Sequence, residues 1–512
     1  MLILGRSEAM KYILGIDIGT TAIKGAVIGE DGKIYGTKTS EYPLTTLPTG
    51  EVEADLKLYI NAFTQSIKGA IADAKVDASD VKCVGFSSTA ETCVFLDKYN
   101  EPLCKVIAWM DTRATKEAAY LSEHFDKKDI INKVGFDGIY AIHPVSKILA
   151  VKNKNPEIFE KTRMFAQIKD YFIYRLTGEY YTDHSTASDH GFFDITNRCY
   201  WNEMLEFTGI KEEYLPKLVA PGTELGTISK EAASEFGLDP ETKINVGAFD
   251  QGCGAIGAGN TKPGIASEST GSALVTVATI DELNPDSKGD VPTLCSGIPG
   301  KYMYQPYCTG SIIMKWYRDV FCEAEKTVEE QTGLNAYTQM DEMVKATPAG
   351  ADGLIMLPYF QGSGIPELNE KAEGVYYGIN AGHTRGHFIR AIMEGLAIAL
   401  KRMLECEEKL GATMTEIRSL GGGSKSKAWC QIKADILGMP VKVINNSEST
   451  PCMGCAILAG VANGMWNSID EATEKFITIK ETYYPNPENK ETYEKVYKKY
   501  VEVTKALNPT FK

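Results

Sequence analysis

The stretch YILGIDIGTTAIKGAVIGEDGKIYGTKTSEY, residues 12–42, decides the fold of this chain. An apolar run, YILGIDIG, ends in a Gly-Thr-Thr turn, and a second run, AIKGAVIGE, leads into Asp31-Gly32. Short β-branched runs between glycine turns are typical of strands, and Asp-Gly is a frequent hairpin turn. The stretch therefore predicts three consecutive strands joined by hairpin turns.

Beyond this opening, predicted helices and strands alternate. Apolar spacing predicts a helix from about residue 55 to 74, and VKCVGFSS at 81–88 predicts a strand. The alternation continues to about residue 250, which indicates an α/β fold. GIASESTGSALVTVAT at 264–279 resembles the opening hairpin in shape, so we expect a second α/β domain that begins as the first did. The expected divisions are an N-terminal domain at 10–255, a C-terminal domain at 256–465, and a tail with a terminal helix at 466–512.

Two later segments support a second α/β domain. EIRSLGGGSKSKAWCQIKADILGMPVKVI, residues 416–444, reads as strand, glycine turn, helix and strand. Another segment predicts a long helix whose apolar face packs on a core. That face consists of Ile389, Ile392, Leu396, Leu400, Met403 and Leu404.

Length and composition exclude several classes of protein. With 512 residues, 43% hydrophobic and 24% charged, the chain is long enough for two or three globular domains. A net charge of −14 argues against a general nucleic-acid or anionic-membrane binder, which would show a basic face. No apolar run approaches the roughly 18 residues that a membrane helix needs. We interpret residues 1–9 as an upstream start or a cloning remnant, not as a signal peptide.

The twelve cysteines are scattered without the spacing of a disulfide scaffold. We therefore expect reduced thiols in a cytoplasmic protein, most of them buried as small apolar groups. Cys452-Met453-Gly454-Cys455 is the single Cys-x-x-Cys pair, and no second pair accompanies it. Helix packing is the favoured interpretation over metal or redox chemistry.

Three glycine turns carry hydroxyl or charged residues suited to phosphate. In the first, Asp17 ends a strand, Gly19, Thr20 and Thr21 offer amides and hydroxyls, and Lys24 lies on the next strand. A triphosphate needs amide donors, a positive charge and a carboxylate that holds a metal ion. The alternative is an ordinary hairpin whose aspartate caps the turn.

The other two turns lie in the second domain. Ser267–Ser272 is a hydroxyl-rich turn between strands, and Gly421–Lys427 joins a strand to a helix. Three glycines allow a ring or a phosphate to approach the backbone, although a plain tight turn is equally compatible with them. Neither is a P-loop, because no Gly-x-x-x-x-Gly-Lys-Ser/Thr occurs in the chain.

A Gly-x-Gly-x-x-Gly match at 252–257 suggests a dinucleotide site, but no βαβ unit with an acidic strand end follows it. A nicotinamide enzyme is therefore a remote alternative. Asp250, just before the match, stands between a strand and a helix rich in small residues. Such a carboxylate suits a general base, and the alternative is a simple helix N-cap.

These motifs together resemble the FGGY family of carbohydrate kinases. GVYYGI at 374–379, followed after seven residues by HFIRAIME at 387–394, is similar to the second signature of the family. Pro144-x-x-Lys147-Ile148 is similar to part of the first signature, with Ala150 in place of a tryptophan. KDYFIYRLTGEYYTDHSTASDHGFFD at 169–194 is similar to the central stretch of the N-terminal domain.

The resemblance implies two actin-like, ribonuclease H-like domains with an ATP cleft between them. It also implies ATP and Mg²⁺ as cofactors, with Asp17 near the metal ion and Asp250 as the catalytic base. The implied nucleotide residues are Gly19, Thr20, Thr21, Lys24, Thr270, Gly271, Gly422, Gly423 and Ser426.

The substrate implied by the resemblance is a sugar or polyol. Trp109 and Asp111 resemble the pentulose-kinase strand, which favours a ketopentose such as D-xylulose. Glu91 and Gln251 resemble glycerol kinases instead, although Ala90 and Ile142 replace the arginine and tyrosine that those enzymes carry.

Parts of the C-terminal domain resemble autoinducer-2 kinases, so glycerol, tetritols and autoinducer-2-type sugars stay open as alternatives. The Gly-Glu-Arg-Thr-Pro segment of the family is replaced by QGSGIP at 361–366.

The expected partner is a small molecule, not nucleic acid or a membrane. The resemblance to the family implies a homodimer, although the sequence shows no pattern typical of a subunit interface. A catalytically inactive nucleotide-binding scaffold is a remote alternative, because Asp17, Lys24, Thr270 and Asp250 are all present.

Overall fold

A computed structural model describes residues 10–512, which pack into two compact units. The first unit contains the chain up to Thr261 together with Asp281–Met303 and Ser449–Ile477. The second contains Lys262–Ile280, Tyr304–Glu448 and Thr478–Lys512. Because both units are discontinuous in sequence, the linear boundaries at 255 and 465 stay a prediction. Residues 1–9 lie outside the described residues.

The first unit is built on a six-stranded mixed sheet. Tyr12–Ile18 and Lys243–Phe249 lie parallel to Val81–Ser88, one on each side of it. The antiparallel strands are Ala22–Gly29 and Ile34–Glu41 beyond Tyr12–Ile18, and Glu224–Thr227 beside Lys243–Phe249. The three strands predicted from the opening stretch are confirmed, as is the strand at 81–88.

The helix Leu56–Ala74 covers one face of this sheet, as predicted. Asp55 caps it, because its Oδ1 accepts a hydrogen bond from the Lys57 amide at 2.8 Å. The fully buried Phe63 ring stacks on Phe172 with centroids 4.0 Å apart. Apolar burial and aromatic packing therefore fix this helix on the sheet.

The helix Thr450–Ala462 approaches the first unit's sheet closely at glycines. A Cβ atom on Gly15 would lie 2.2 Å from the carbonyl oxygen of Cys452, and one on Gly85 would lie 2.2 Å from that of Cys455. A Cβ atom on Gly257 would lie 2.0 Å from the Thr450 carbonyl oxygen. Helix packing thus accounts for the Cys-x-x-Cys pair, as predicted, and for Gly257 of the dinucleotide-like match.

The remaining elements of the first unit surround this sheet. A smaller sheet contains Thr45–Thr46, Val52–Ala54, Val106–Ile107, Cys93–Leu96 and Met164–Gln167. Short strands are Tyr181–Asp183 with Lys217–Val219, Phe193–Asp194 with Cys199–Tyr200, and Thr293–Cys295. The other α-helices are Thr115–His124, Lys127–Val134, Pro144–Lys154, Pro156–Lys161, Ile168–Thr177, His184–Ala187, Asn202–Thr208, Lys230–Phe236, Asp250–Gly257 and Ile469–Phe476. Short 3₁₀ helices are Ala78–Asp80 and Glu212–Tyr214.

The second unit repeats the opening arrangement. Gly264–Thr270 and Ala273–Ile280 form a hairpin, and Gly264–Thr270 also lies parallel to Met414–Gly421. The sheet continues with Val441–Ile444 and Ile479–Tyr483, and Tyr307–Thr309 pairs with Ala273–Ile280. The predicted hairpin is confirmed, and so is the strand–turn–helix–strand order at 416–444.

The helix Arg385–Lys409 carries the core of the second unit, and the apolar face predicted for it is buried. Other helices are Ile312–Phe321, Glu323–Thr332, Ala336–Lys345, Lys427–Leu437 and Lys490–Leu507. A separate strand pair is Ile355–Leu357 with Val375–Tyr377, and Tyr302–Tyr304 lies where the chain enters this unit. Short 3₁₀ helices are Ala351–Gly353, Gly422–Lys425, Ser447–Ser449, Pro487–Asn489 and Asn508–Thr510.

The tail differs from its prediction in one respect. The terminal helix is confirmed as Lys490–Leu507, but the predicted loop before it contains the helix Ile469–Phe476 and the strand Ile479–Tyr483. The charged sequence IKETY lacks the apolar pattern that predicts a strand, because its residues are exposed or half-buried at the sheet edge. All twelve cysteines are free thiols. Among residues 10–512, no helix is long and apolar enough to cross a membrane.

Candidate active site

The carboxyl ends of three strands bring two of the predicted carboxylates to one edge of the first unit's sheet. Asp17 pairs with Ser87 across the parallel strands, and Ser87 Oγ donates a hydrogen bond to Asp17 Oδ1 at 2.8 Å. Ser87 also pairs with Ala248, two residues before Asp250. Because parallel strands end at the same edge, Asp17 and Asp250 converge although 233 positions separate them in the chain.

Asp250 is the first residue of the helix Asp250–Gly257. Its Oδ1 atom is buried and has no hydrogen-bond partner among the described residues. Burial raises the pKa of this carboxyl group to about 8, the negative charges of Asp17 and Asp189 add to the shift, and hydrogen bonds from Gln251 oppose it. A carboxyl group with an unpartnered oxygen and a pKa near neutrality is suited to accept a proton.

A buried polar network holds the backbone next to Asp250. The Phe249 amide donates to Ser185 Oγ at 3.0 Å, and Ser185 Oγ donates to Asp183. Asp183 forms an ion pair with Lys169, and both side chains are completely buried. Burial alone would raise the pKa of Asp183, but Lys169 holds it below its usual value. Sequence reasoning included Lys169 and Ser185 only within a family stretch and assigned them no role.

The predicted phosphate turn of the first unit is a tight hairpin. The Gly19 amide donates to the Ala22 carbonyl oxygen at 3.0 Å, and Thr20 Oγ1 accepts a hydrogen bond from Trp109 Nε1 at 2.9 Å. Lys24 lies opposite Asp17 on the neighbouring strand and donates to Ser449 Oγ at 2.7 Å. Thr21 is exposed. The turn therefore presents hydroxyls and a lysine beside the Asp17 carboxylate.

Lys147 positions two of the predicted substrate segments. Its ammonium is completely buried and donates to the carbonyl oxygens of Glu91, Ala108 and Trp109, at 2.8, 3.0 and 2.9 Å. The Glu91 amide donates to Gln167 Oε1 at 2.6 Å, and Glu91 has a φ of 65°, which is uncommon for a residue with a side chain. These bonds hold the Glu91 and Trp109 segments next to each other.

Asp111 lies beside this region but is occupied by the protein itself. Its side chain is fully buried and forms an ion pair with Arg113 at 2.8 Å. Oδ1 accepts from the Arg113 amide and Nε, and Oδ2 accepts from Arg113 and from the Val52 amide. A role of Asp111 in contacting the substrate directly stays a prediction, while its bonds here hold the backbone near Trp109.

The remaining predicted nucleotide residues lie in the second unit. Thr270 pairs with Gly421 across parallel strands, and a Cβ atom on Gly423 would lie 2.6 Å from Thr270 Cβ. Gly421 has a φ of 70°, which allows the chain to turn sharply here. A Cβ atom on Gly422 would have only the Thr270 carbonyl oxygen within 4 Å, at 3.8 Å. The two glycine turns of this unit therefore touch, and Gly422 faces open space.

Buried charges support the turn at Thr270. Thr270 Oγ1 donates to Glu268 Oε2 at 2.6 Å and accepts from Lys433 Nζ at 2.9 Å. Lys433 and Glu268 form a buried ion pair at 2.5 Å. The Gly271 carbonyl oxygen accepts hydrogen bonds from the amide and the hydroxyl of Ser311.

Ser426 caps the helix Lys427–Leu437, and its hydroxyl group is hydrogen-bonded within the protein. Its hydroxyl accepts from the Trp429 amide at 3.0 Å and donates to Asp341 Oδ1 at 2.7 Å. The cap fixes the helix start next to Gly422 and Gly423.

Asp17 has the chemistry expected of a magnesium ligand. Burial raises the pKa of its carboxyl group, while Ser87 and Lys24 lower it, so a nearby cation would favour the ionised form. Mg²⁺ prefers carboxylate oxygens and keeps several of its waters. Asp17 is half-buried as a residue, which leaves access for such waters. The residues present fit the ion, and Asp17 as its ligand stays a prediction.

Two residues near Asp250, His143 and Asp189, were not predicted from the sequence. His143 and Asp189 are buried, and one ring nitrogen of His143 and one oxygen each of Glu91 and Asp189 lie within 4.8 Å of one another. Both residues stand within or beside the family motifs, but no local pattern distinguishes them from a helix cap and a loop aspartate. Their functional interest comes from burial next to Asp250, which depends on the tertiary fold.

Comparison with known proteins gives the same two-part organisation. Residues 12–257 match the model of the N-terminal domain of the FGGY family of carbohydrate kinases, and residues 288–463 match that of its C-terminal domain. The structure is similar to ligand-bound xylulose kinase from Lactobacillus acidophilus, with a TM-score of 0.89, 26% identity, and coverage of 98% of this chain and 99% of that one. The fold is therefore the two-domain, actin-like fold of the sugar kinases.

Curated relatives span nearly the whole chain. Xylulose kinase from Bacillus subtilis is 30% identical over 509 residues, which cover 98% of this chain and 99% of the relative. Gluconokinase from the same organism is 29% identical over 480 residues, which cover 93% and 92%. The chain belongs to the FGGY family of carbohydrate kinases.

Proposed function

We propose that this ATP-dependent carbohydrate kinase phosphorylates a hydroxyl group of a ketopentose such as D-xylulose, with Asp250 as the general base. The observation that carries the proposal is the buried Oδ1 of Asp250, which has no hydrogen-bond partner within residues 10–512 and lies at the sheet edge that also holds Asp17. The similarity to xylulose kinases supports the choice of substrate.

In the proposed reaction, Asp250 accepts the proton of the substrate hydroxyl as its oxygen attacks the γ-phosphorus of ATP. The bond between that phosphorus and the β,γ-bridging oxygen breaks, and ADP leaves. The turn at Gly19 brings the amides and hydroxyls of Thr20 and Thr21, with Lys24, to the phosphate oxygens, where they stabilise the negative charge. Mg²⁺ held by Asp17 would supply further positive charge to the phosphates.

The nucleotide is bound by a second set of residues in this proposal. Thr270 and Gly271 contact phosphate, while Gly422, Gly423 and Ser426 form the adenosine pocket. The support is local: the two glycine turns touch each other, and space is open at Gly422. Catalysis is then mainly a matter of orientation and charge stabilisation, since the protein itself forms no covalent bond.

A polyol, a tetritol or an autoinducer-2-type sugar is the alternative substrate. Glu91 and Gln251 favour it, because they match the glycerol-kinase pattern. The burial of Glu91 and its charge interaction with Asp250 support contact with the substrate in either case. Trp109, hydrogen-bonded to Thr20, is expected to contact the sugar as well.

The test is ADP release from MgATP with D-xylulose, D-ribulose, erythritol, glycerol and D-gluconate. We expect turnover with the ketopentoses, and a loss of kcat of about 10³-fold in Asp250→Asn, since general-base catalysis supplies roughly 10²- to 10⁴-fold. Glu235→Gln, a change at a half-exposed surface carboxylate, is the matched control and should keep full activity. Full sugar-dependent turnover in Asp250→Asn would reject Asp250 as the base.

A further inference from the structure

Three buried polar side chains form a cluster next to Asp250. Glu91 follows the strand Val81–Ser88, His143 precedes the helix Pro144–Lys154, and Asp189 follows the helix His184–Ala187. One oxygen of each carboxyl group and one ring nitrogen of His143 lie within 4.8 Å of one another. The exposed fractions are 8% for Glu91, 0% for His143 and 5% for Asp189. Burying three such groups is costly unless something pairs with them.

The hydrogen bonding of His143 determines which ring nitrogen carries the proton. Nδ1 accepts a hydrogen bond from the Tyr140 amide at 3.2 Å. Burial lowers the pKa of His143 to about 3, so the ring is neutral, and its single proton is on Nε2. Nε2 is buried and has no hydrogen-bond partner among the described residues. His143 therefore offers one unused donor and needs an acceptor.

The carboxyl groups of Glu91 and Asp189 can supply the acceptor that His143 lacks. Burial alone raises the pKa of Asp189 to about 7. Burial and the charges of Asp189 and Asp250 raise the pKa of Glu91, against the nearby charge of Lys147. Lys147 is not available to neutralise them directly, because its ammonium donates to three backbone carbonyl oxygens. With a pKa of about 7, Asp189 can both accept and donate hydrogen bonds near neutral pH, and the cluster also contains the Glu91 carboxyl group and the neutral His143 donor.

A metal ion suits this cluster poorly, whereas hydroxyl groups suit it well. A metal ion needs a ring lone pair, but the Nδ1 lone pair faces the Tyr140 amide and Nε2 carries the proton. A hydroxyl group both donates and accepts, so it can donate to a carboxylate and accept from Nε2. A sugar acid would instead bring a further carboxylate next to Asp250, which must be ionised to act as the base, and like charges in a buried site repel strongly.

We infer that Glu91, His143 and Asp189 bind the hydroxyl groups of a neutral polyhydroxylated substrate, and that this acidic cluster, together with ionised Asp250, excludes sugar acids such as gluconate. The inference rests on the proposed function, because it takes Asp250 as the point where the substrate reacts. It assigns a specificity role to His143 and Asp189. It also separates this chain from an activity on gluconate, despite the 29% identity with a gluconokinase.

The test compares Asp189→Asn and Glu91→Gln with the unmodified enzyme in steady-state kinetics. For the best neutral substrate, we expect KM to rise about tenfold in each variant, with kcat changed less than threefold and the KM of ATP unchanged. The preference for that substrate over D-gluconate, measured as a ratio of kcat/KM values, should fall about tenfold. Glu203→Gln, at a surface carboxylate that is 68% exposed, is the matched control and should change none of these values.

Variants of His143 test the donor separately. His143→Leu removes the Nε2 donor and should raise the sugar KM about tenfold, whereas His143→Gln keeps an amide donor and should recover most of the affinity. A purely structural role would not distinguish these variants by sugar KM at constant ATP KM. Titration calorimetry on Asp250→Asn should show binding of the neutral substrate and none of D-gluconate.

The outcomes separate the two proposals. Gluconate as the best substrate, or unchanged sugar KM values in both Asp189→Asn and Glu91→Gln, would overturn the inference and leave the kinase reaction intact. Full turnover in Asp250→Asn would overturn the assigned base whatever the cluster does. No turnover and no binding with any of the neutral compounds would overturn both.

Discussion

The proton affinity of Asp250 follows from residues that come together only in the fold. Burial and the charges of Asp17 and Asp189 raise its pKa to about 8. A general base works only when ionised, so kcat/KM for the sugar should rise with pH through about 8 and level off above it. The check is a pH profile of kcat/KM between pH 5.5 and 9.5 at saturating MgATP. A kcat/KM that is already constant from pH 5.5 upward, as expected for an ordinary aspartate with a pKa near 4, would contradict this environment for Asp250.

The pH profile of the Asp189→Asn variant is compared with that of the unmodified enzyme. The substitution removes a negative charge that raises the pKa of Asp250, so the inflection should move to lower pH. The sequence already places Asp250 at a strand end, which suggests a base. It could not predict the raised pKa, because the two carboxylates that contribute to it, Asp17 and Asp189, are distant from Asp250 in the sequence and share no local pattern with it.

At the scale of elements, the helix Thr450–Ala462 depends on glycine in the strands beneath it. A Cβ atom on Gly15 would lie 2.2 Å from the Cys452 carbonyl oxygen, and backbone atoms cannot rotate away. Gly15→Ala should therefore lower the free energy of unfolding by about 3 kcal/mol, at the upper end of the usual cost of overpacking. Urea unfolding followed by circular dichroism measures this change.

Gly254→Ala is the matched control, since a Cβ atom there would meet nothing within 4 Å and alanine favours a helix interior. It should leave stability unchanged or raise it. Equal losses in both variants would show that the close approach of Gly15 to the helix does not account for the loss.

Most elements were predictable because their apolar spacing is local, as in Leu56–Ala74 and Arg385–Lys409. The packing of Ser449–Ile477 in the first unit was not, since nothing local in that segment marks its partner.

Across the whole molecule, the candidate residues divide by unit into those expected to affect the sugar and those expected to affect the KM of ATP. The carboxylates, the predicted sugar residues and one phosphate turn lie in the first unit, whereas Gly422, Gly423 and Ser426 lie in the second. Variants of the second set should change the KM of ATP and leave sugar binding unchanged. Gly422→Arg is the sharpest case, because a Cβ atom at this position meets only one atom within 4 Å, at 3.8 Å, so the fold should accept the side chain.

An arginine at position 422 would fill the proposed adenosine pocket, so we expect the KM of ATP to rise at least about tenfold, equivalent to a loss of about 1.4 kcal/mol in binding. The sugar KM and the melting temperature should stay as in the unmodified enzyme. Gly423→Val controls for disruption of the turn, since its Cβ would lie 2.6 Å from that of Thr270 and should lower the melting temperature. If Gly422→Arg folded normally with an unchanged ATP KM, the nucleotide would have to bind elsewhere, and the match between the glycine turns and the family pattern would have no functional meaning.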